Sequence, residues 1–114
     1  MNRQRVLVVD DEPILAFDIA CEIRNAGYEV VGPAGSVASA LALLESSGCD
    51  IAVLDVNLGR ENAEPIAEAL RTKGIPFIIV SGYSRAQQPA IFNDAPFVPK
   101  PIRSADLFAA LAGA

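Results

Sequence analysis

Polar side chains with complementary chemistry follow four short apolar runs in this chain of 114 residues. In chain order they are Asp10, Asp11, Asp55, Ser81 and Lys100. Short apolar runs of this kind predict strands buried on both faces, as in a parallel sheet covered by helices. Because open parallel sheets bind ligands at the carboxyl ends of their strands, these side chains lie where a site is expected.

The three carboxylates would repel one another at a shared sheet edge. Two unit charges about 5 Å apart, at an effective dielectric constant of about 20, repel by roughly 3 kcal/mol. Such a cluster suggests a hard divalent cation, and Mg²⁺ suits a site with few carboxylates and retained waters. The ammonium of Lys100 and the hydroxyl of Ser81 are donors, which together with Mg²⁺ would clamp a dianionic group such as phosphoryl.

Histidine is absent from the sequence. This excludes Ser-His-Asp and Cys-His catalysis and histidine-ligated zinc, and any phosphohistidine must belong to another protein. A carboxylate is then the remaining candidate nucleophile. Asp55, flanked by the metal and the lysine in the predicted site, is the best placed to become an aspartyl phosphate.

Strand-like and helical stretches alternate along the chain. The predicted strands are residues 6–9, 28–32, 51–54, 77–80 and 97–99, and the predicted helices are residues 11–26, 37–44, 64–73 and 104–112. Residues 33–35 are expected to turn and residues 57–62 to form a loop. The helix expected within residues 84–94 should be short or irregular, because this stretch contains Pro89 and several amide side chains.

Five βα units predict a single α/β domain over residues 1–114, with a parallel sheet and right-handed crossovers. Proline belongs on edge strands, so Pro99 favours an edge position for the fifth strand. The flavodoxin-like, doubly wound (βα)5 order 2-1-3-4-5 meets this condition. It also makes the two strands that precede the acids central.

Composition narrows the range of partners. The formal net charge of −5 argues against direct nucleic-acid binding, which requires a clustered basic face. Apolar runs fall short of the roughly 18 residues of a membrane span. These short runs predict no membrane association. Cys21 and Cys49 have no metal-ligand or disulfide pattern, so we expect a reducing cytoplasm.

The strand-end residues and the Lys100-Pro101 dipeptide resemble, in order and approximate spacing, the signature of response regulator receiver domains of two-component signalling. The resemblance covers essentially the whole chain. It implies that Asp55 accepts a phosphoryl group from a histidine kinase or a histidine phosphotransfer protein in the bacterial cytoplasm. It also implies a switch and not an enzyme, with self-phosphorylation and slow autodephosphorylation as its only chemistry.

The same resemblance implies roles for individual residues. Asp11, Asp55 and the backbone carbonyl of Asn57 would hold Mg²⁺ directly, and Asp10 would act largely through water. Ser81 and Lys100 would bind the phosphoryl oxygens. The family also implies a cis peptide bond before Pro101, which a proline at the second position makes accessible.

Residues 55–59 and 76–83 are similar to a receiver subgroup known as FATGUY, whose members are often stand-alone and work with kinases of the HWE and related classes. Ser81, Tyr83 and Phe97 are the predicted switch residues. Phe97 occupies the switch-aromatic position without a tyrosine hydroxyl, which Tyr83 would have to supply. The downstream protein target is unidentified, and we expect a monomer or weak dimer.

The first helix carries two apolar stripes. One has the spacing of a core face and comprises Leu15, Ile19, Ile23 and Ala26. The other, formed by Ile14, Phe17 and Cys21, is either part of a wide buried arc or an exposed strip that docks a partner. In the receiver family the first helix docks against the helical bundle of the kinase, so the second reading predicts a kinase-docking surface.

Other functions remain open from the residues alone. By itself, an acidic pair after a strand is more often a helix cap than a metal site. A haloacid-dehalogenase-like, Mg²⁺-dependent phosphatase also uses a strand-end aspartate, but it needs a second acid at the position of Asn57 and usually a cap for which this chain is too short. A non-phosphorylated binding module would be expected to lack Asp55 or Lys100, and both are present.

Overall fold

A central five-stranded parallel sheet organises the fold. The computed structural model describes residues 4–58, 61–82, 92 and 95–113, with only the backbone of Asn57. In chain order the elements are β1 (Arg5–Val9), α1 (Pro13–Asn25), β2 (Glu29–Ala34), α2 (Val37–Ser46), β3 (Ile51–Asp55), β4 (Asn57–Leu58), β5 (Glu61–Asn62), α3 (Glu64–Thr72), β6 (Phe77–Ser81), β7 (Phe97–Pro99) and α4 (Ser104–Gly113).

The sheet has the order β2-β1-β3-β6-β7, with every neighbouring pair parallel. Counted along the sheet-forming strands alone, this is the predicted order 2-1-3-4-5, so the flavodoxin-like α/β prediction is confirmed. Pro99 lies in β7 at the sheet edge, where its missing N–H interrupts no central ladder. The fourth helix predicted within residues 84–94 lies outside the described residues, apart from Phe92.

Alternating residues of the central strands build two cores. On β1, Leu7 and Val9 join the core formed with α2 and α3, whereas Val6 and Val8 join the core formed with α1 and α4. Helices therefore cover both faces of the sheet, which is why its strands are apolar throughout. The two cores pack against the two faces of the sheet, so the strands that lead to the carboxyl edge are buried.

Helix α1 buries a somewhat different face from the one predicted. Ile19 and Ile23 are buried as expected, but Leu15 is half-buried and Ala26 is exposed. Ala26 follows the last helical turn and is the C-cap residue, which takes its side chain away from the core face. Small side chains complete that face, namely Ala16 and Ala20.

The predicted turn at residues 33–35 begins too early. Strand β2 continues through Pro33 to Ala34, whose carbonyl accepts a hydrogen bond from the backbone N–H of Asp10 at 3.0 Å. A proline is tolerated there because β2 is the other edge strand. Gly32 has φ +95°, and a Cβ at this position would lie 2.9 Å from the Ala34 nitrogen, so the bend requires glycine.

The predicted loop after Asp55 contains a small antiparallel hairpin, in which β4 pairs with β5. Within it, Glu61 Oε1 accepts a hydrogen bond of 3.3 Å from the backbone N–H of Val37, at the start of α2. The loop that leaves the site is therefore tied to a neighbouring helix. Among the described residues, no helix combines the length and the apolar character needed to cross a bilayer.

Candidate functional site

Three carboxylates meet at the carboxyl edge of the sheet. Asp55 ends β3, and Asp10 and Asp11 follow β1, its hydrogen-bonded neighbour. One carboxylate oxygen from each of the three lies within 4.8 Å of the other two. Asp10 and Asp55 are 3% exposed, whereas Asp11 is open to solvent. The cluster therefore has a buried floor and an accessible side.

Only one of the two carboxylate oxygens of Asp10 accepts a hydrogen bond from the described residues. Its Oδ1 accepts the backbone N–H of Glu12 at 2.9 Å, but its buried Oδ2 has no hydrogen-bond partner among the described residues. Burial raises the pKa of Asp10, and the hydrogen bond from Glu12 and the charge of Lys100 offset this only in part. An orphaned acceptor beside two further carboxylates fits a small, hard cation such as Mg²⁺.

Lys100 is the cation that contacts the buried carboxylates in the described part of the chain. Its Nζ donates a hydrogen bond to Asp55 Oδ2 at 3.1 Å and lies 3.8 Å from Asp10 Oδ2. Partial burial lowers the pKa of Lys100, but the hydrogen bond and charge of Asp55, followed by the charges of Asp10 and Glu12, raise it overall. The ammonium is therefore charged and held against the Asp55 carboxylate.

Backbone hydrogen bonding fixes Lys100 to the neighbouring strand. Its N–H donates to the carbonyl of Ser81 at 2.9 Å, and the peptide bond to Pro101 is cis, as the family resemblance implies. Ser81 is buried at the end of β6, between β3 and β7. The hydroxyl and the ammonium predicted to act together thus come from adjoining strand ends.

The remaining predicted residues are less completely described. Asn57 begins β4 two residues after Asp55, and only its backbone is described. Tyr83 lies outside the described residues. Phe97 is half-buried and packs against the core on the α2 and α3 side.

The second stripe of α1 is exposed at its first two residues. Ile14 is 81% exposed and Phe17 is 63% exposed, and they are the exposed large apolar side chains of the described chain. Cys21 is half-buried and lines a groove with Leu15 and Ile102. The wide buried arc that the sequence left open is therefore not formed at Ile14 and Phe17.

Glu12 is a site residue that the sequence interpretation did not identify. It caps α1 through its backbone, without a side-chain capping hydrogen bond, and its Oε1 lies 3.8 Å from Lys100 Nζ. The available signal was a third acid directly after the Asp10-Asp11 pair. Its distance from Lys100 depends on the side-chain conformations of both residues, which the strand-end pattern does not specify.

This combination of groups suits phosphoryl chemistry. The carboxylates can hold a divalent cation, and one of them is in contact with an ammonium that can pair with an anionic oxygen. A buried serine hydroxyl stands on the adjoining strand. The site therefore offers a nucleophile and charge neutralisation within one rim.

Comparison with known proteins gives a match over most of the chain. The family model described as "Response regulator receiver domain" matches residues 6–112. The transcriptional regulatory protein PdtaR of Mycobacterium tuberculosis is 30% identical over 112 residues, covering 95% of this chain and 55% of PdtaR. The chain thus spans about half the length of this curated relative.

Solved structures agree in architecture. The solution structure of SdrG from Sphingomonas melonis Fr1 is similar with a TM-score of 0.84 and 38% identity, covering 98% of this chain and 97% of SdrG. The response regulator PhyR from Brucella abortus is similar with a TM-score of 0.82 and 26% identity, covering 97% of this chain and 47% of PhyR.

Proposed function

Because the chain belongs to the response regulator receiver domain family, we propose that Asp55 accepts a phosphoryl group in a Mg²⁺-dependent reaction and thereby switches a protein–protein interaction. The family predicted from the strand-end residues is confirmed. The chain is accordingly a receiver domain of the response regulators, and we take residues 1–114 to be a single such domain.

The observation that carries the proposal is the surroundings of the Asp55 carboxylate. It is buried, lies within 4.8 Å of the Asp10 and Asp11 carboxylates and accepts a hydrogen bond from Lys100 at 3.1 Å. A carboxylate next to other carboxylates stays ionised, and therefore nucleophilic, only where nearby cations compensate the repulsion between the negative charges. Lys100 supplies one cation, and the three carboxylates are close enough together to serve as ligands for a second.

Asp11, Asp55 and the Asn57 carbonyl would hold Mg²⁺, with Asp10 acting through water. When bound, Mg²⁺ supplies charge neutralisation for the phosphoryl oxygens. In the transfer, an Asp55 carboxylate oxygen forms the new O–P bond as the P–N bond of the donor phosphohistidine breaks and its electron pair returns to the imidazole. Lys100 and Ser81 then pair with the phosphoryl oxygens.

Helix α1 is the proposed docking surface for the donor. Ile14 and Phe17 form an exposed apolar strip on the helix that follows Asp10 and Asp11, and Cys21 borders it. A donor seated there would bring its phosphohistidine to the acidic rim. The proposed donor is a histidine kinase of the HWE or a related class, or a histidine phosphotransfer protein, and the reaction would take place in the bacterial cytoplasm.

The output is proposed to be a change of protein partner, transmitted through Ser81, Phe97 and Tyr83. Phe97 pairs with Ile79 in the sheet, two residues before Ser81, so movement at the phosphoryl group has a short path to this aromatic ring. Direct action on nucleic acid or membrane is not part of the proposal. The receiver is proposed to act as a monomer or weak dimer on a downstream protein that the chain does not identify.

The test is phosphorylation of the wild-type protein by acetyl phosphate, followed by intact-mass spectrometry. We expect one added phosphoryl group with Mg²⁺, none with EDTA and none in Asp55→Asn. Asp106→Asn, which removes an exposed acid from α4, should be labelled like the wild type. Rapid phosphate release without an accumulated stoichiometric adduct would indicate a phosphatase instead, and a failure to label would indicate a plain binding module.

A further inference from the structure

Lys100 lies among three acids and is closest to Asp55. Its Nζ is 3.1 Å from Asp55 Oδ2, 3.8 Å from Asp10 Oδ2 and 3.8 Å from Glu12 Oε1. Asp10 and Asp55 belong to the buried floor of the site, whereas the Glu12 side chain is 66% exposed. Glu12 therefore attracts the ammonium from a solvent-exposed position, whereas the other two carboxylates attract it from buried ones.

Capping of α1 does not account for the Glu12 side chain. Glu12 caps the helix with its backbone, and its N–H donates to Asp10 Oδ1, but the carboxylate makes no capping hydrogen bond. Among the described residues, the cation within ion-pair distance of this carboxylate is Lys100. Its charge thus acts on the lysine that the proposed reaction needs.

We propose that Glu12 is a positioning residue that holds Lys100 at the outer side of the rim and competes with an incoming phosphoryl group for its ammonium. The inference rests on the proposed function of Asp55 as phosphoryl acceptor. Lys100 has to exchange a hydrogen bond to a carboxylate for contacts with phosphoryl oxygens. Each acid that holds the ammonium in its starting position makes this exchange harder.

Glu12 differs from the other two acids in what its removal would do. Loss of Asp55 removes the nucleophile, and loss of Asp10 disturbs the proposed metal site. Loss of the Glu12 charge leaves both intact and frees Lys100 from one competitor. Glu12 would therefore slow the phosphorylation of Asp55.

The experiment measures the second-order rate constant for Asp55 phosphorylation by acetyl phosphate, with saturating Mg²⁺ and low ionic strength. Glu12→Gln should react about fivefold faster than the wild type, which is the size expected for loss of an exposed ion pair. Beryllofluoride, which mimics the bound phosphoryl group without a transfer step, should bind the variant more tightly by a similar factor. High salt should reduce both differences.

Two further variants separate contact with Lys100 from a general effect of charge. Glu12→Asp keeps the charge but withdraws the carboxylate by one methylene, so it should also react faster than the wild type. Asp18→Asn removes one exposed charge from the same helix, about 9 Å further along its axis, and should react like the wild type. Melting curves would verify that each variant is folded.

The outcomes are distinguishable. A Glu12→Gln rate equal to or below that of the wild type overturns the inference, as does Glu12→Asp behaving like the wild type while Glu12→Gln reacts faster. An equal gain in Asp18→Asn would also overturn it, because the effect would then be one of overall charge. If the wild-type protein itself takes up no phosphoryl group, it is the proposed function that fails.

Discussion

Asp10 is held in the fold at a cost in free energy. A buried carboxylate is tolerated when its oxygens are hydrogen-bonded or paired with charge, and Asp10 Oδ2 lacks a hydrogen-bond partner among the described residues. Lys100 lies 3.8 Å away but donates its hydrogen bond to Asp55. The electrostatic strain predicted for the cluster is therefore concentrated on Asp10.

Asp10→Asn should stabilise the metal-free protein at pH 7. The amide keeps an oxygen for the Glu12 N–H and removes an incompletely compensated buried charge, so we expect the free energy of unfolding to rise by about 1 kcal/mol. Urea denaturation in EDTA would measure it. A loss of stability, or an equal gain in the exposed-acid control Asp106→Asn, would contradict the assignment of the strain to Asp10.

The difference in unfolding free energy between Asp10→Asn and the wild type should depend on pH. Because burial raises the pKa of Asp10 in the fold above its ordinary value, the folded state binds this proton more readily than the unfolded state. The wild type thus gains stability from this group as the pH falls through the folded pKa. The advantage of Asp10→Asn should be largest at neutral pH and shrink towards pH 4.

The sequence was sufficient to name the residues of the rim but not their pairing. Strand-end positions predicted that Asp10, Asp11, Asp55 and Lys100 would share one edge, because parallel strands end at the same side of a sheet. Which carboxylate accepts the hydrogen bond of Lys100 depends on side-chain positions across three strands. The same limit hid Glu12, whose neighbour is distant in the chain.

Among the elements, α1 is both a packing helix and an exposed surface. Its Ile19 and Ile23 are buried against the sheet, whereas Phe17 is 63% exposed. A large aromatic side chain with this exposure contributes little to folding and is available for contact with a partner. The two faces can therefore be tested by separate substitutions.

Phe17→Ala should slow phosphoryl transfer from the cognate kinase by about tenfold, the loss expected for an aromatic anchor of an interface. The free energy of unfolding should change by less than about 0.5 kcal/mol, because little burial is lost. Radiolabel transfer from the autophosphorylated kinase and urea denaturation would measure these effects.

Two controls accompany this variant. Labelling by acetyl phosphate should proceed at the wild-type rate, since that donor needs no docking surface. Ile23→Ala, at a fully buried position of the same helix, should instead destabilise the protein by about 2–5 kcal/mol. A wild-type transfer rate from the kinase in Phe17→Ala would exclude this strip as the docking surface.

Local departures from the predicted elements share one cause. Pro33 was interpreted as a turn residue, but at a sheet edge it remains in β2, because the Asp10 N–H pairs with the carbonyl of Ala34. The β4–β5 hairpin likewise forms where the composition indicated a loop. Pro33 is held in β2 beside a partner on β1, and Glu61 of the hairpin is tied to the start of α2; local propensity reveals neither contact.

The fold of the whole molecule could be predicted because several independent features of the sequence indicate the same topology. The five apolar strand runs, the intervening helical periods and Pro99 all point to one topology, and the sheet order bears this out. Burial on both faces explains why these strands lack the alternating pattern of an exposed sheet.

Mg²⁺ should raise the stability of the whole domain. A ligand that binds only the folded state stabilises it by about 2.7 kcal/mol at a hundredfold excess over its Kd. Thermal melts with and without Mg²⁺ would show an increase in Tm for the wild type and a much smaller one for Asp11→Asn, whose exposed carboxylate has little other role in the fold. Asp106→Asn should keep the wild-type response, and an equal response in Asp11→Asn would refute the metal assignment.

Both outermost strands of the sheet contain a proline, Pro33 in β2 and Pro99 in β7. Each border strand therefore contains a residue that cannot donate a backbone hydrogen bond to a strand from another molecule. A signalling protein has to remain dispersed through repeated cycles of activation at whatever concentration the cell makes it. Here the resistance to sheet-to-sheet aggregation is built into the backbone of the two borders and does not depend on the state of the acidic rim.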